Sequence, residues 1–180
     1  PLGNAISVPN LATLEQAADF LLAAEKPLIV AGKVGSRTGA FEVLGSFAND
    51  YAIPVTQVGE PALLSSHPMN WGFTTGQHLP YADLVLVLES AVPWIPRNVN
   101  PKKGTKLIHL SPDPLYTRFP FRGFEMDLAV VGEPIETLRM LHNILPARAK
   151  GKKRSLAARR KAIKEKHKDI CAKRREALQK

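Results

Sequence analysis

The sequence predicts a three-layer α/β domain built on a parallel sheet. Apolar runs of strand length alternate with segments of helical period along most of the chain. The runs "PLIVAG" and "LVLVL" are apolar at nearly every position, as in strands covered on both faces. Glycines fall between the first run and the helical segment after it, where an α/β unit turns from strand to helix.

In chain order, "LATLEQAADFLLAAEK" places Leu11, Leu14, Ala17, Ala18, Leu21 and Leu22 on one face of a helix. Thr13 is the expected N-cap, Glu15 and Gln16 fall in the first turn, and Pro27 ends the helix. "PLIVAG" follows as a buried strand. "TGAFEVLGSFANDY" is a helix turning Phe41, Leu44, Phe47 and Ala48 to the core. "IPVTQV" is a second strand, and "GEPALLSSHPMNWGFTTGQHLPY" is irregular. "ADLVLVLES", "KLIHLSPDP" and "FEMDLAVVGE" are three more strands. "EPIETLRMLHNIL" closes the domain as a helix, with Glu133 as cap and Pro134 in its first turn. The domain boundary falls near Leu145, so 1–10 is a linker, 11–145 the domain and 146–180 a basic helical tail.

Charge divides the chain at that boundary. The 180 residues carry a net +9, yet 151–180 alone hold 13 Lys/Arg against Glu165, Asp169 and Glu176. The other 150 residues hold 12 basic and 13 acidic groups and are nearly neutral. With helix-forming composition but few large apolar residues, the tail is expected to be a solvated or frayed appendage, leading as a linker helix to a further domain. It has no aromatic interleaving, so nucleic acid is not expected as a partner. A single cysteine, Cys171, lies in the tail without a fixed environment to activate it, which fits a cytoplasmic protein. No apolar run approaches the roughly 20 residues that a membrane span needs. The start "PLGNAISVPN" lacks a signal-peptide pattern and reads as a piece of a longer protein.

Candidate binding residues lie where the parallel strands end. Gly32, Gly35 and Gly39 are spaced neither as a dinucleotide fingerprint nor as a P-loop, and the spacing alone favours a tight turn over a phosphate cradle. Glu89–Ser90 and Ser111–Asp113 end two further strands, with Asp113 able to accept from a ribose or simply to build a turn. His67, His78, His109 and His142 have no ligand spacing for a metal, and no Ser or Cys sits in a nucleophile motif. No catalytic or metal residue is assigned.

"AEKPLIVAGKVG", "ANDYAIPVTQ", "SSHPMNWGFTTG", "ADLVLVLES", "KLIHLSPDP" and "DLAVVGEPIETLRML" stand in the order of one family. Residues 11–145 resemble the central domain of thiamine-diphosphate-dependent enzymes, the acetolactate synthase-like and benzoylformate decarboxylase-like group. The resemblance implies a Rossmann-like, six-stranded parallel sheet of the DHS-like NAD/FAD-binding type. It also implies a middle domain that spaces two catalytic domains of a 2-oxo acid decarboxylase or synthase. Thiamine diphosphate and magnesium would be held by those flanking domains of the same chain, in a homodimer or tetramer. The isolated chain would be catalytically silent.

By position, the resemblance puts Gly32, Lys33, Val34 and Gly35 at a diphosphate loop, and Gly72, Thr74 and Gly76 at a second loop. Ser90, Ser111 and Asp113 fall at the strand ends. The resemblance implies FAD in flavin-dependent members, and ADP or CoA parts, or an empty crevice, in others. Three departures argue against a tightly held flavin: Glu89-Ser90-Ala91 replaces G-x-R, Ser111 replaces an Asp, and Glu133 replaces the Asp of G-D. The rival readings are a free-standing FAD, NAD or ADP module, and a nucleic-acid-associated protein acting through its tail.

Overall fold

The computed structural model describes residues 7–118 and 123–179. Helix α1 (Leu11–Ala23) leads into β1 (Pro27–Ala31), α2 (Ala40–Asp50), β2 (Val55–Gln57) and β3 (Asn70–Gly72). A short α3 (Thr75–His78) and a 3-10 turn (Leu79–Tyr81) precede β4 (Leu84–Leu88), β5 (Lys106–Ser111) and β6 (Leu128–Val131). Helices α4 (Pro134–Arg148) and α5 (Lys153–Leu178) complete the chain. The strands form one parallel sheet in the order β3-β2-β1-β4-β5-β6. That is the doubly wound Rossmann order, whose switch point lies between β1 and β4.

Period-two alternation divides the buried strands between two cores. Ile29, Ala31, Leu84, Leu86, Leu88, Ile108 and Leu110 face the larger one, against Leu14 and Leu21 of α1, Leu44 and Phe47 of α2, and Leu138 and Leu141 of α4. Leu28, Val30, Val85, Val87 and Leu107 face the smaller, covered by Leu79, Ala82 and Trp94. The second face is therefore covered by α3, the 3-10 turn and irregular chain.

Several local expectations change. Asn10 caps α1, its Oδ1 accepting the Thr13 N–H at 2.8 Å, because Leu11 is already helical; Leu11 itself is exposed. Glu133 does cap α4, accepting the Glu136 N–H at 2.8 Å. That helix runs past the expected end through Pro146, which cannot donate to the carbonyl of His142. The Tyr51 hydroxyl reaches the same carbonyl instead, at 3.4 Å. The sixth strand, β3, lies inside the stretch expected to be irregular. It has only three residues, Asn-Trp-Gly, and therefore carries no apolar alternation.

The largest difference is the tail. Residues 153–178 form one 26-residue helix, about 39 Å long at 1.5 Å per residue, docked on the domain. Leu156 and Ile163 pack on the larger core. His167 donates from Nδ1 to the Asn70 carbonyl at 2.7 Å, so α5 covers the edge strand β3. Its Nε2 then faces Cys171 Sγ at 3.4 Å, one helical turn on, so the cysteine has a fixed neighbour where none is expected.

Arginines complete the docking. Arg159 donates to the carbonyls of Ala52 (2.9 Å), Ala24 (2.7 Å) and Tyr51 (2.7 Å). Arg160 donates to those of Asn49 (2.7 Å) and Asp50 (2.8 Å). These carbonyls close α1 and α2, where helix ends lack intrahelical donors and carry partial negative charge. Lys152 serves the Leu22 carbonyl of α1 in the same way, at 2.5 Å. Part of the tail's charge is thus a set of caps, and the expected solvated or frayed appendage is a docked helix. Arg159→Ala should lower stability by about 2–3 kcal/mol, since charge-assisted bonds to several carbonyls go at once. The midpoint of urea unfolding checks this, and Arg160→Ala, with two carbonyls exposed, should cost less.

Candidate functional site

The carboxyl ends of the strands meet around the glycine loop, and the loop is closed there by the chain itself. The Gly32 N–H donates to the Leu88 carbonyl at 2.8 Å and the Lys33 N–H to the Glu89 carbonyl at 3.0 Å. A side chain on Gly32 would overlap the Glu89 carbonyl and the Ser90 Cβ, and one on Gly35 would overlap the Pro61 carbonyl. Val34 between them is fully buried. These glycines serve close approach of backbone to backbone, and two amides expected to face a diphosphate are already bonded to β4.

Arg37 locks the arrangement. Its guanidinium grips both Glu89 oxygens, Nε to Oε2 at 2.7 Å and Nη2 to Oε1 at 2.5 Å, and lies 3.0 Å from Glu133 Oε1 through Nη1. The hydrogen bonds to Glu89, with the charges of Glu89 and Glu133, hold the arginine above its ordinary pKa despite some burial. Glu89 adopts a left-handed backbone, φ 46°, at the point where β4 ends. One cation therefore ties the ends of β1, β4 and β6. Arg37 has no place in any local motif; the available signal was the pair of acidic residues at two strand ends, which require a cation once they converge.

The other predicted residues divide into groups. Ser90 is buried against Gly32. Ser111 is buried, and its Oγ accepts the Asp113 N–H at 3.1 Å. The Asp113 carboxylate accepts the Thr117 N–H at 3.0 Å and its hydroxyl at 3.3 Å, which is turn chemistry. Gly72, at φ 76°, lies beneath the Arg174 guanidinium of α5 and away from the glycine loop. Thr74 donates to the Trp71 carbonyl at 3.1 Å.

Of Gly72, Thr74 and Gly76, only Gly76 lines a cavity of about 360 Å³ at the strand ends, together with Val58, Phe73, Trp94 and Val99. None of the described residues lining it is charged. Gln57 and Thr75 also border it, but their side chains are engaged. Gln57 Oε1 accepts the N–H groups of Ala62 and Leu63 at 2.6 and 2.9 Å, and Thr75 donates to Thr56 at 3.0 Å. Such a cavity can take an uncharged ring, and it offers no acid, base or nucleophile. Among the described residues no group of three or more His, Cys, Asp or Glu can hold a metal ion.

Residues 14–141 match the family model described as "Thiamine pyrophosphate enzyme, central domain". The chain belongs to this family. Over 60 residues it is 40% identical to a 3D-(3,5/4)-trihydroxycyclohexane-1,2-dione hydrolase of Clostridium perfringens, covering 32% of this chain and 9% of that protein. In fold it is similar to benzoylformate decarboxylase of Polynucleobacter necessarius, with TM-score 0.65 and 18% identity over 81% of this chain and 29% of the other. The thiamine diphosphate-dependent 4-hydroxybenzoylformate decarboxylase of Rhodococcus jostii RHA1 gives TM-score 0.64 and 21% identity, over 81% and 29%. The chain thus spans under a third of the length of these relatives. The family is thiamine diphosphate-dependent, and this chain is its central domain. No described helix is long and apolar enough to cross a membrane.

Two predictions follow from the geometry. Gly32→Ala forces a methyl group into the Glu89–Ser90 peptide and should cost about 3 kcal/mol, read from guanidinium unfolding. The second concerns His78, whose ring lies 4.6 Å from Trp71. Burial, with a smaller push from Lys166, lowers its pKa from 6.5 to about 4. Between those values the unfolded chain binds the proton and the folded one does not. Stability from this group is complete above pH 6.5 and falls as pH drops toward 4. His67, also held low by burial, acts in the same sense. Melting temperatures across pH 5–7 should therefore slope less in His78→Phe than in the parent.

Proposed function

We propose that this chain is the spacer of a thiamine diphosphate- and magnesium-dependent 2-oxo acid decarboxylase or acetolactate synthase-like enzyme. Residues 11–145 would hold two catalytic domains apart, with 1–10 and 146–180 as connecting segments. The whole enzyme would be a cytoplasmic homodimer or tetramer. The single observation that carries the spacer reading is the Arg37–Glu89–Glu133 lock, which sets the chain's own side chains across the ends of β1, β4 and β6.

The residues present do not fit thiamine diphosphate with magnesium. The sequence contains no G-D-G, and the described residues supply no metal cluster. No step of that chemistry belongs to this chain. The fit to FAD is also poor, because the Gly32 and Lys33 amides are bonded to the Leu88 and Glu89 carbonyls and the described lining of the neighbouring cavity holds no cation to balance a diphosphate. The same uncharged cavity supports a second, lesser reading, a module that holds the ring of a nucleotide without gripping its phosphates.

Incubated with thiamine diphosphate, magnesium and a panel of 2-oxo acids, the chain should release no carbon dioxide above the blank; measurable turnover contradicts the spacer reading. Calorimetry with FAD, ADP and CoA separates the second reading. Heat from ADP but not from inorganic diphosphate favours a ring-binding module, and a yellow preparation with bound flavin overturns the argument from the lock.

A further inference from the structure

At the other end of the sheet, where the strands begin, a groove of about 320 Å³ separates α5 from the domain. Leu28, Pro54, Trp71 and His78 form its domain wall, and Ile163 and Lys166 contribute from the helix. Ala162 also lines it, and its small side chain leaves the space that a larger residue would fill. The volume suits a ligand of one or two rings, at the small end of ligand sites.

The walls are apolar and aromatic, with Trp71 and His78 in ring contact at 4.6 Å. His78 is neutral near pH 7, so this wall carries no charge. The charged groups on the lining are unequal in their commitments. Arg159 is engaged by the carbonyls that end α1 and α2. Glu25 and Lys26 cancel in formal charge. Lys166 makes no ion pair among the described residues, and it is near enough to His78 to disfavour the imidazolium. An aromatic surface beside an uncompensated ammonium matches a ligand with a flat apolar body and one negative end.

We propose that this groove binds a small aromatic carboxylate, its ring against Trp71 and its carboxylate at Lys166. The site is formed jointly by the domain and the tail helix, and it is independent of the strand-end cavity and of the spacer reading.

The two tryptophans make the test internal, since Trp71 lines this groove and Trp94 lines the other cavity. In 1H–15N spectra of the chain titrated with 2-naphthoate, the Trp71 indole N–H signal should move saturably while that of Trp94 stays. Uncharged 2-naphthamide should bind about tenfold more weakly, and Lys166→Glu should weaken 2-naphthoate by at least that factor. Ala162→Leu should abolish the shift with the melting temperature maintained. No Trp71 shift at millimolar 2-naphthoate, equal movement of both indoles, or equal affinity for the amide overturns the proposal. The comparison of acid with amide needs no variant, so it decides the matter even where a substitution disturbs α5.

Discussion

At the centre of the sheet, Gly32 lies against the peptide joining Glu89 and Ser90 with no room for a side chain, and its amide bonds to the end of β4. Parallel strands diverge at a switch point and usually leave a crevice there. Here the contact closes the crevice at its narrowest level. Once β1 and β4 are held so closely, Glu89 takes a left-handed turn and its carboxylate meets Arg37. Glu133, which caps α4 with one oxygen, meets the same guanidinium with the other. A single backbone contact therefore leads to a charge cluster uniting the three strand ends.

A doubly wound sheet sends its helices back antiparallel to the strands, so helix C-termini gather where the strands begin. The last carbonyls of α1 and α2 lack donors of their own. Helix α5 supplies them through Arg159 and Arg160, while its apolar residues Leu156 and Ile163 join the core. Burial of Arg159 lowers its pKa, with the charge of Asp83 opposing the effect. The carbonyl bonds compensate that desolvation, which is why an arginine is tolerated in this place. The same helix protects β3, a three-residue edge strand whose other side pairs with β2.

What could be read from the sequence follows from how local each signal is. Strands β1 and β4 are visible because burial on both faces writes unbroken apolar runs, and α4 because Glu133-Pro134 is a local start signal. β3 is invisible because three residues including Asn70 and Gly72 show no period. Arg37 is invisible because its partner Glu89 is 52 residues away, and nothing near Arg37 reveals that pairing. The docking of the tail is hidden for a different reason. Lys and Arg conventionally indicate solvent, but the partners of Arg159 and Arg160 are backbone carbonyls, which every sequence contains and none announces. Likewise a glycine required by a neighbouring backbone, as at Gly32 and Gly35, looks in a sequence the same as one required by a phosphate.

The distribution of charge between the two ends of the sheet carries this further. In an open α/β fold, helix N-termini point at the carboxyl ends of the strands and make that end attractive to anions. This chain places two carboxylates there, Glu89 and Glu133, against one arginine, so the lock carries a formal excess of negative charge and the described lining of the adjacent cavity is uncharged. At the opposite end the helix dipoles alone would repel anions. Arg159, Arg160 and Lys152 cover those carbonyls, and Lys166 is left over beside an aromatic wall. Side chains of the tail thereby offset the helix dipoles locally, at the groove that Lys166 borders. This arrangement requires α5, since Arg159, Arg160 and Lys166 all belong to that helix.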